Sequence, residues 1–380
     1  MMAPHAGLER RVLAALESTP ARIAVVIGGC GTGRTTLLHG LADRLGRDQC
    51  QYIDVERSAS TPERFHRALT STTPFTQNGR DSESAGPATS ARAAFERTLA
   101  LLARGRASGD RPATFLLDEV LELRTFESFP GLRQVLRETL HALAESSNRF
   151  VLTSRYVTRA HRLLRDGSGR FEVIHLPPLT PADVTAMLPP MGETAADDRD
   201  FLGRAIHALA DGRTAYVHAL GEAISGMSGR GGDPISALTA LLTGEGALAT
   251  WCGYRYELRL HKARGYGALK AILEILSETE PLTLTEVAQH LHRTPGSTKD
   301  YLSWLEDVDL IVARQKRYSF ADPMLRLWVR LHCRPVPPSV DEVAREVQTY
   351  AVARLPQAEP NLAMAATSGD RKGWGIIEID

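Results

Sequence analysis

The chain has 380 residues, room for two or three domains, and its 43% hydrophobic and 24% charged composition is that of a soluble globular protein. Its 45 basic and 45 acidic residues cancel, so no global field advertises nucleic acid or membrane, and any such partner must be met by a local patch. Four scattered cysteines (Cys30, Cys50, Cys252, Cys333) without metal spacing suit a reducing cytoplasm; no signal-peptide pattern opens the chain and no apolar run is long enough to span a membrane, so a cytoplasmic, non-membrane protein is expected.

In chain order, residues 1–20 read as a short amphipathic helix around Leu8, Val12, Leu13 and Leu16. From Arg22 to Leu176 strands alternate with helices, which predicts an α/β fold with a parallel sheet covered on both faces. Strands are expected at Ile23–Ile27, Gln51–Val55, Thr114–Leu117, Arg149–Thr153 and Phe171–Leu176, and the polar stretch Ser71–Ser90 as a surface loop. The first strand runs into Gly28-Gly29-Cys30-Gly31-Thr32-Gly33-Arg34-Thr35-Thr36, and a helix through Leu37, Leu38, Leu41 and Leu45 follows. This is the phosphate-loop pattern Gly-x-x-x-x-Gly-Lys-[Ser/Thr], with Arg34 in place of lysine. Backbone N–H groups of such a loop and the positive end of the next helix form an anion hole for phosphates. Gly28, Gly29, Gly31, Thr32, Gly33, Arg34, Thr35 and Thr36 are therefore the candidate nucleotide contacts, with the Thr35 hydroxyl on a magnesium ion. Arginine keeps the charge of lysine but carries a wide planar fork, so binding is expected to survive the exchange better than hydrolysis.

Phe115-Leu116-Leu117-Asp118-Glu119 delivers two carboxylates at the C-terminal edge of a strand, where ligands bind in open parallel sheets. Asp118 would hold magnesium through water, and Glu119 would orient or deprotonate the attacking water. The next strand ends in Thr153-Ser154-Arg155, which reads either as a sensor of the terminal phosphate or as a polar strand-end turn. Without an Asn-Lys-x-Asp guanine-reading motif, ATP is the expected nucleotide. A small-molecule kinase would share the loop, but Asp118-Glu119 suits water activation.

Pro177–Pro181 breaks the alternation, and Thr180 with Pro181 and Asp183 reads as a helix start. Helices are expected at Val184–Leu188, Asp200–Ala210, Arg213–Ile224 and Pro234–Leu242, forming a small lid in which Arg213 reaches back to the phosphates or stays on the surface. In the next unit Tyr266–Leu276 begins a helix, Thr283 and Thr285 a second, and Ser297 caps a third carrying Tyr301, Leu302, Trp304 and Leu305. Leu310–Ala313 and Tyr318–Phe320 then read as strands joined by Arg314-Gln315-Lys316-Arg317, completing a winged helix-turn-helix. One more helix at Val340–Ala353 and a disordered tail with an apolar–acidic end, Trp374–Asp380, close the chain. The expected units are a nucleotide domain over 1–178, a lid over 179–250, a winged helix over 251–334, and a helix with tail over 335–380.

The glycine loop, Gln51–Val55, Leu116–Glu119, Leu152–Arg155 and Val173–Thr180 occur in an order that resembles the AAA+/STAND group of P-loop ATPases over roughly residues 20–334. Within it the chain is similar to archaeal-type ATPases and to origin-recognition-like initiators. The resemblance implies a nucleotide-driven switch or DNA-assembling protein in which Asp118 and Glu119 do magnesium and water work and Arg155 is the strand-end sensor. Arg162 or Arg165 would be the arginine offered to a neighbouring subunit, if the exposed-helix reading does not hold. The chain departs from the group at Arg34, at Thr153-Ser154 in place of an asparagine sensor, and at Gly212-Arg213-Thr214, which lacks the STAND proline but puts Arg213 where an initiator has its lid arginine.

DNA contact is expected through the wing residues Arg314, Lys316 and Arg317 and through Lys299 at the start of the recognition helix, with Arg293 as a further contact and Tyr301 and Trp304 as core. Basic and acidic residues nevertheless balance across 266–334, nine against nine. The alternative partner is a protein docked on the winged helix, or a second copy of the chain.

Overall fold

The computed structural model describes residues 6–77, 90–165, 167–188, 196–227 and 233–355. Helix α1 (Ala6–Glu17) precedes β1 (Ile23–Ile27), all five residues of which are buried. The glycine loop leads into α2 (Arg34–Leu45), which buries Leu37, Leu38 and Leu41. Next come β2 (Cys50–Asp54), the single turn α3 (Val55–Ser58) capped by Asp54, and α4 (Pro62–Thr72), capped by Thr61 with Pro62 in its first turn. β3 (Thr76–Gln77), α5 (Ala91–Arg104), β4 (Gly105–Ala107) and β5 (Arg111–Pro112) follow; the three strands form a small antiparallel sheet too short for periodicity to reveal. The expected polar loop is thus partly α4 and β3, and its residues 78–89 lie outside the described residues.

β6 (Thr114–Asp118), a 3-10 stretch over Val120–Ser128, α6 (Val135–Glu145), β7 (Arg149–Ser154), α7 (Val157–Leu164) and β8 (Phe171–His175) complete the sheet. Its order is β2-β6-β7-β1-β8, with every neighbouring pair parallel. Ala24 and Val26 pack with Val12 and Leu16 of α1 and Leu38 and Leu41 of α2, whereas Ile23, Val25 and Ile27 join the core on the opposite face. That alternation is why the strand reads as one apolar run: both faces are covered. The register sets Ile27 beside Ser154 and Asp54 beside Asp118, so Gly28, Asp118 and Ser154 meet at one edge.

The helical segment comprises α8 (Pro181–Met187), opened by the expected Thr180–Asp183 capping box, α9 (Ala196–Ala210), α10 (Thr214–Gly226) and α11 (Pro234–Leu242). α12 (Ala247–Lys262) runs through residue 250/251, where a unit boundary was expected and no helix was foreseen. Its buried set includes Arg259 beside Leu248, Cys252, Tyr256 and Leu260, and a buried arginine blurs the apolar stripe.

The last segment contains α13 (Tyr266–Glu278), β9 (Leu282–Thr283), α14 (Leu284–His290), α15 (Pro295–Asp307), β10 (Ile311–Arg314) and β11 (Arg317–Phe320), the strands pairing antiparallel as β10-β11-β9. Helices and an antiparallel hairpin thus follow one another in the order the sequence predicts. Gln315 and Lys316 sit at φ 50° and 62°, a two-residue turn with both central residues left-handed, as tight hairpins require. Thr294, and not Ser297, caps α15: its side chain accepts from the Ser297 N–H, and Pro295 follows with φ pre-set. α16 (Pro323–His332), which the sequence reading missed, is opened by Asp322, and α17 (Val340–Val352) ends the described fold. Trp374–Asp380 lies outside the described residues. Among the described residues no helix is long and apolar enough to cross a membrane.

Candidate nucleotide site

The loop between β1 and α2 needs its glycines. Gly31 and Gly33 sit at φ 79° and 99°, and a Cβ on Gly28 would lie 3.2 Å from the Leu176 side chain. Within this loop Arg34 is almost fully buried. Its Nη1 donates to the carbonyls of Gly28 and Gly29, and its Nη2 donates to Glu119 Oε1 at 2.6 Å. The guanidinium fork that sets arginine apart from lysine is thus used to clasp loop backbone and carboxylate together.

Thr35 Oγ1 donates to Asp118 Oδ2 at 2.7 Å, and Asp118 also accepts from the Tyr52 hydroxyl at 3.1 Å and from Thr153. Thr153 in turn accepts the Glu119 N–H at 2.9 Å, which places the strand-end threonine as a brace for both acids. Glu119 stands at φ 57°, and its Oε2 accepts the Arg155 N–H at 3.0 Å. Burial alone would raise the Glu119 carboxyl, but Arg34 and Arg155 pull it down to about 2. Thr36 is exposed.

Arg155 is held by three acids: Nη2 meets Glu56 and lies 3.6 Å from Glu122, and Nε lies 3.2 Å from Glu119. Lys262 of α12 reaches the same two outer acids, 2.9 Å from Glu56 and 2.7 Å from Glu122. Arg213, at the start of α10, donates to the Cys30 carbonyl at 2.8 Å and to the Ala321 carbonyl, with Asp322 Oδ2 3.4 Å away. Beside it Thr214 Oγ1 donates to the Thr32 carbonyl and the Ala215 N–H to the Gly31 carbonyl, both at 3.0 Å. Trp251 lies against Gly31, where a Cβ would stand 3.3 Å from the indole; Arg255 stacks on that ring at 3.9 Å and meets the Cys30 thiol. Arg259 donates to the Asp309 carbonyl at 2.9 Å. Burial pushes the Asp309 carboxyl up to about 6 in spite of Arg259, Arg213 and Arg34.

The expected nucleotide residues from Gly28 to Thr35, with Asp118, Glu119, Arg155 and Arg213, thus converge on one sheet edge. Glu56, Glu122, Trp251, Arg255, Arg259, Lys262 and Asp309 join them from distant parts of the chain, and no local motif marks them. The expected DNA residues lie elsewhere. Lys299, Arg314 and Lys316 are exposed, while Arg317 donates to the Pro281 carbonyl at 3.0 Å and sits 3.6 Å from Glu286. Ser154 Oγ accepts the Tyr156 N–H at 3.1 Å, and Arg162 pairs with Asp307 at 3.2 Å, so both have partners inside the chain. Arg293 lies over the Tyr301 ring, and Tyr301 and Trp304 pack edge to face beside Gly265.

The residues present fit a nucleotide with its metal. The buried Nε atoms of Arg34 and Arg259 have no hydrogen-bond partner among the described residues, which leaves spare donors beside the loop. Thr35 and Asp118 bring together a hydroxyl and a carboxylate, the oxygen donors a hard divalent cation takes.

The sheet order, the loop and the paired acids define a P-loop NTPase fold followed by a largely helical C-terminal region. Among solved structures the chain is similar to the Walker-type ATPase paby2304 of Pyrococcus abyssi, with a TM-score of 0.62 and 18% identity over 86% of this chain and 95% of that one. No family model matches the sequence, and no match was found among curated proteins.

Proposed function

We propose that the chain binds ATP with magnesium at the glycine loop and acts as a nucleotide-dependent switch of the AAA+/STAND kind, its winged helix engaging DNA. The observation that carries this reading is the double attachment of Arg213, to the Cys30 carbonyl of the loop and to Ala321 and Asp322 next to the wing. A phosphate that draws Arg213 toward itself competes with the contacts joining the C-terminal segment to the loop, so the two states bind nucleotide with different affinity. The Walker-type ATPase with a similar fold supports the nucleotide assignment.

In this reading the glycines admit the phosphates to the backbone, Thr35 and Asp118 hold the metal, Glu119 orients water, and Arg155 and Arg213 face the phosphate chain. Magnesium, when bound, neutralises phosphate charge. Exposed Lys299, Arg314 and Lys316 offer phosphate contacts to DNA, and Arg317 joins them by leaving Glu286.

A second reading is favoured by the Arg34–Glu119 pair. A carboxylate held at about 2 is a weak base, and one clasped by Arg34 at 2.6 Å is not free to take a proton from water. This supports a hydrolysis-poor regulator that works through protein contacts. Steady-state phosphate release from ATP and magnesium, with and without duplex DNA, separates the two. Turnover abolished by Glu119→Gln and raised by DNA is expected for the switch; no turnover in the native chain but recovery in Arg34→Lys would establish the regulator.

A further inference from the structure

Between α6 and α7, away from the nucleotide site, runs an open groove of about 830 Å³. Its floor is apolar, from Leu136, Leu140, Leu163 and Phe171, and its rim carries Arg133, Arg137 and Arg159, with one acid, Glu127, which is paired with Arg124. It continues past Arg133 and Arg159 into a second cavity of about 580 Å³ that reaches α12 and the end of α15. Arg162 on the same wall is paired with Asp307, but among the described residues Arg133, Arg137 and Arg159 have no carboxylate within ion-pair distance. Burial and the neighbouring Arg124 hold Arg159 below its ordinary value, against the pull of Asp307 and Glu127. An apolar floor with unpaired arginines along its edge suits a segment that is apolar and acidic at once.

The chain carries such a segment. Trp374-Gly375-Ile376-Ile377-Glu378-Ile379-Asp380 has four large apolar side chains and two carboxylates in seven residues. We propose that the groove between α6 and α7 is the docking site of this chain's own segment Trp374–Asp380, apolar side chains on the leucine and phenylalanine floor and Glu378 and Asp380 on the unpaired arginines. Reach permits it. Eighteen residues, 356–373, separate Leu355 from Trp374. Extended, they span about 60 Å, against a radius of gyration of about 21 Å for a compact chain of this length. Charge decides the occupant: a nucleic-acid strand would satisfy the rim and leave the apolar floor without a partner, whereas the tail satisfies both. α7 begins two residues after Arg155, so a docked tail would rest on the element that carries on from the phosphate-facing strand end.

The test uses the full chain with the photo-crosslinker p-benzoylphenylalanine in place of Ile377. Irradiation is expected to give an adduct within one chain, mapped to residues 133–144 or 157–171. Its yield should fall about tenfold in Arg133→Glu/Arg137→Glu, since two opposed charges are turned into repulsions, and should fall in high salt. Both arginines are exposed, so an unchanged melting temperature verifies that the variant is folded. Adducts scattered over other surfaces, or insensitive to the charge reversal, overturn the proposal. An adduct migrating as a dimer assigns the groove to a second copy and overturns the assignment to the chain's own tail. A labelled oligonucleotide that binds through the same arginines, with tail adducts unaffected by their reversal, gives the groove to nucleic acid and overturns it as well.

Discussion

Arg34 has two sets of partners that cannot both be kept once a phosphate enters the loop. Its guanidinium now holds the Gly28 and Gly29 carbonyls and the buried Glu119 carboxylate. Glu119→Gln replaces the ion pair by a neutral hydrogen bond and frees the guanidinium for the phosphates. ATP affinity is therefore expected to rise about five- to tenfold, or about 1–1.4 kcal/mol, in titrations with a fluorescent nucleotide; an unchanged or weaker affinity would show that the pair does not hold Arg34 back. Because the Glu119 carboxyl lies well below its ordinary 4.5, the pair's stabilisation is complete above that pH and is lost only as pH falls toward about 2. Asp309 behaves in the opposite sense. Its carboxyl is raised from 3.8 to about 6, so ionising it weakens the fold as pH climbs through that window. Asp309→Asn keeps the side-chain shape and tolerates the φ of 57°. Urea denaturation should find the variant equal to the native chain near pH 4 and more stable by about 1–2 kcal/mol at pH 8, a figure reduced because the residue keeps some solvent contact. A gap that shrinks toward high pH would reject the assignment.

At the level of helices and strands, the close crossing of α8 and α9 depends on Gly203. A Cβ there would stand 2.9 Å from the Thr185 Cβ and 3.0 Å from its Cα, closer than side chains pack. Alanine is the better helix former by about 1 kcal/mol, yet Gly203→Ala is expected to destabilise the chain by about 1–3 kcal/mol through overpacking. Chemical denaturation decides between these signs, and a gain would mean that the helices can part freely. The five strands of the main sheet were legible in the sequence to within a residue: β1, β6 and β7 are largely buried apolar runs, and the shorter mixed runs of β2 and β8 stand out by their place in the strand–helix alternation. The glycine loop and Asp118-Glu119 were legible too, since their spacing is local. Glu56, Glu122 and Lys262 were not: they converge on Arg155 only through the folded chain. α12 escaped for another reason: it buries Arg259, which interrupts its apolar stripe. α16 carried a clear signal, Asp322 and Pro323 ahead of Met324, Leu325, Trp328 and Leu331 at helical spacing. Ser297 was read as a cap because it is a good capping residue; Thr294 wins the position because Pro295 fixes the first turn behind it.

Over the whole molecule, contacts between distant segments converge on the phosphate loop and its acids, and the exposed basic turn of the β10–β11 hairpin stands apart from them. If the wing meets DNA, neutralising Arg314, Lys316 and Arg317 together should lower duplex affinity and flatten its salt dependence by about two to three counterions in a gel-shift series; the same slope in native and triple variant would remove the wing from the interface. Lys262→Ala should loosen the C-terminal segment from the core, read as faster proteolysis within residues 263–265 with little change in overall melting, because Arg155 still faces both Glu56 and the buried Glu122 once the lysine is gone. Helix α12 gives these long-range contacts a mechanical character. Trp251 near one end sits on the loop at Gly31, and Lys262 at the other end holds the two acids that hold Arg155. Eleven residue steps of helix separate them, a stiff bar of about 16 Å. Such a bar cannot absorb movement in its middle, so a push at the loop end arrives at the Arg155 end undiminished. It works as a caliper laid along the site, one jaw on the loop and the other on the strand end opposite.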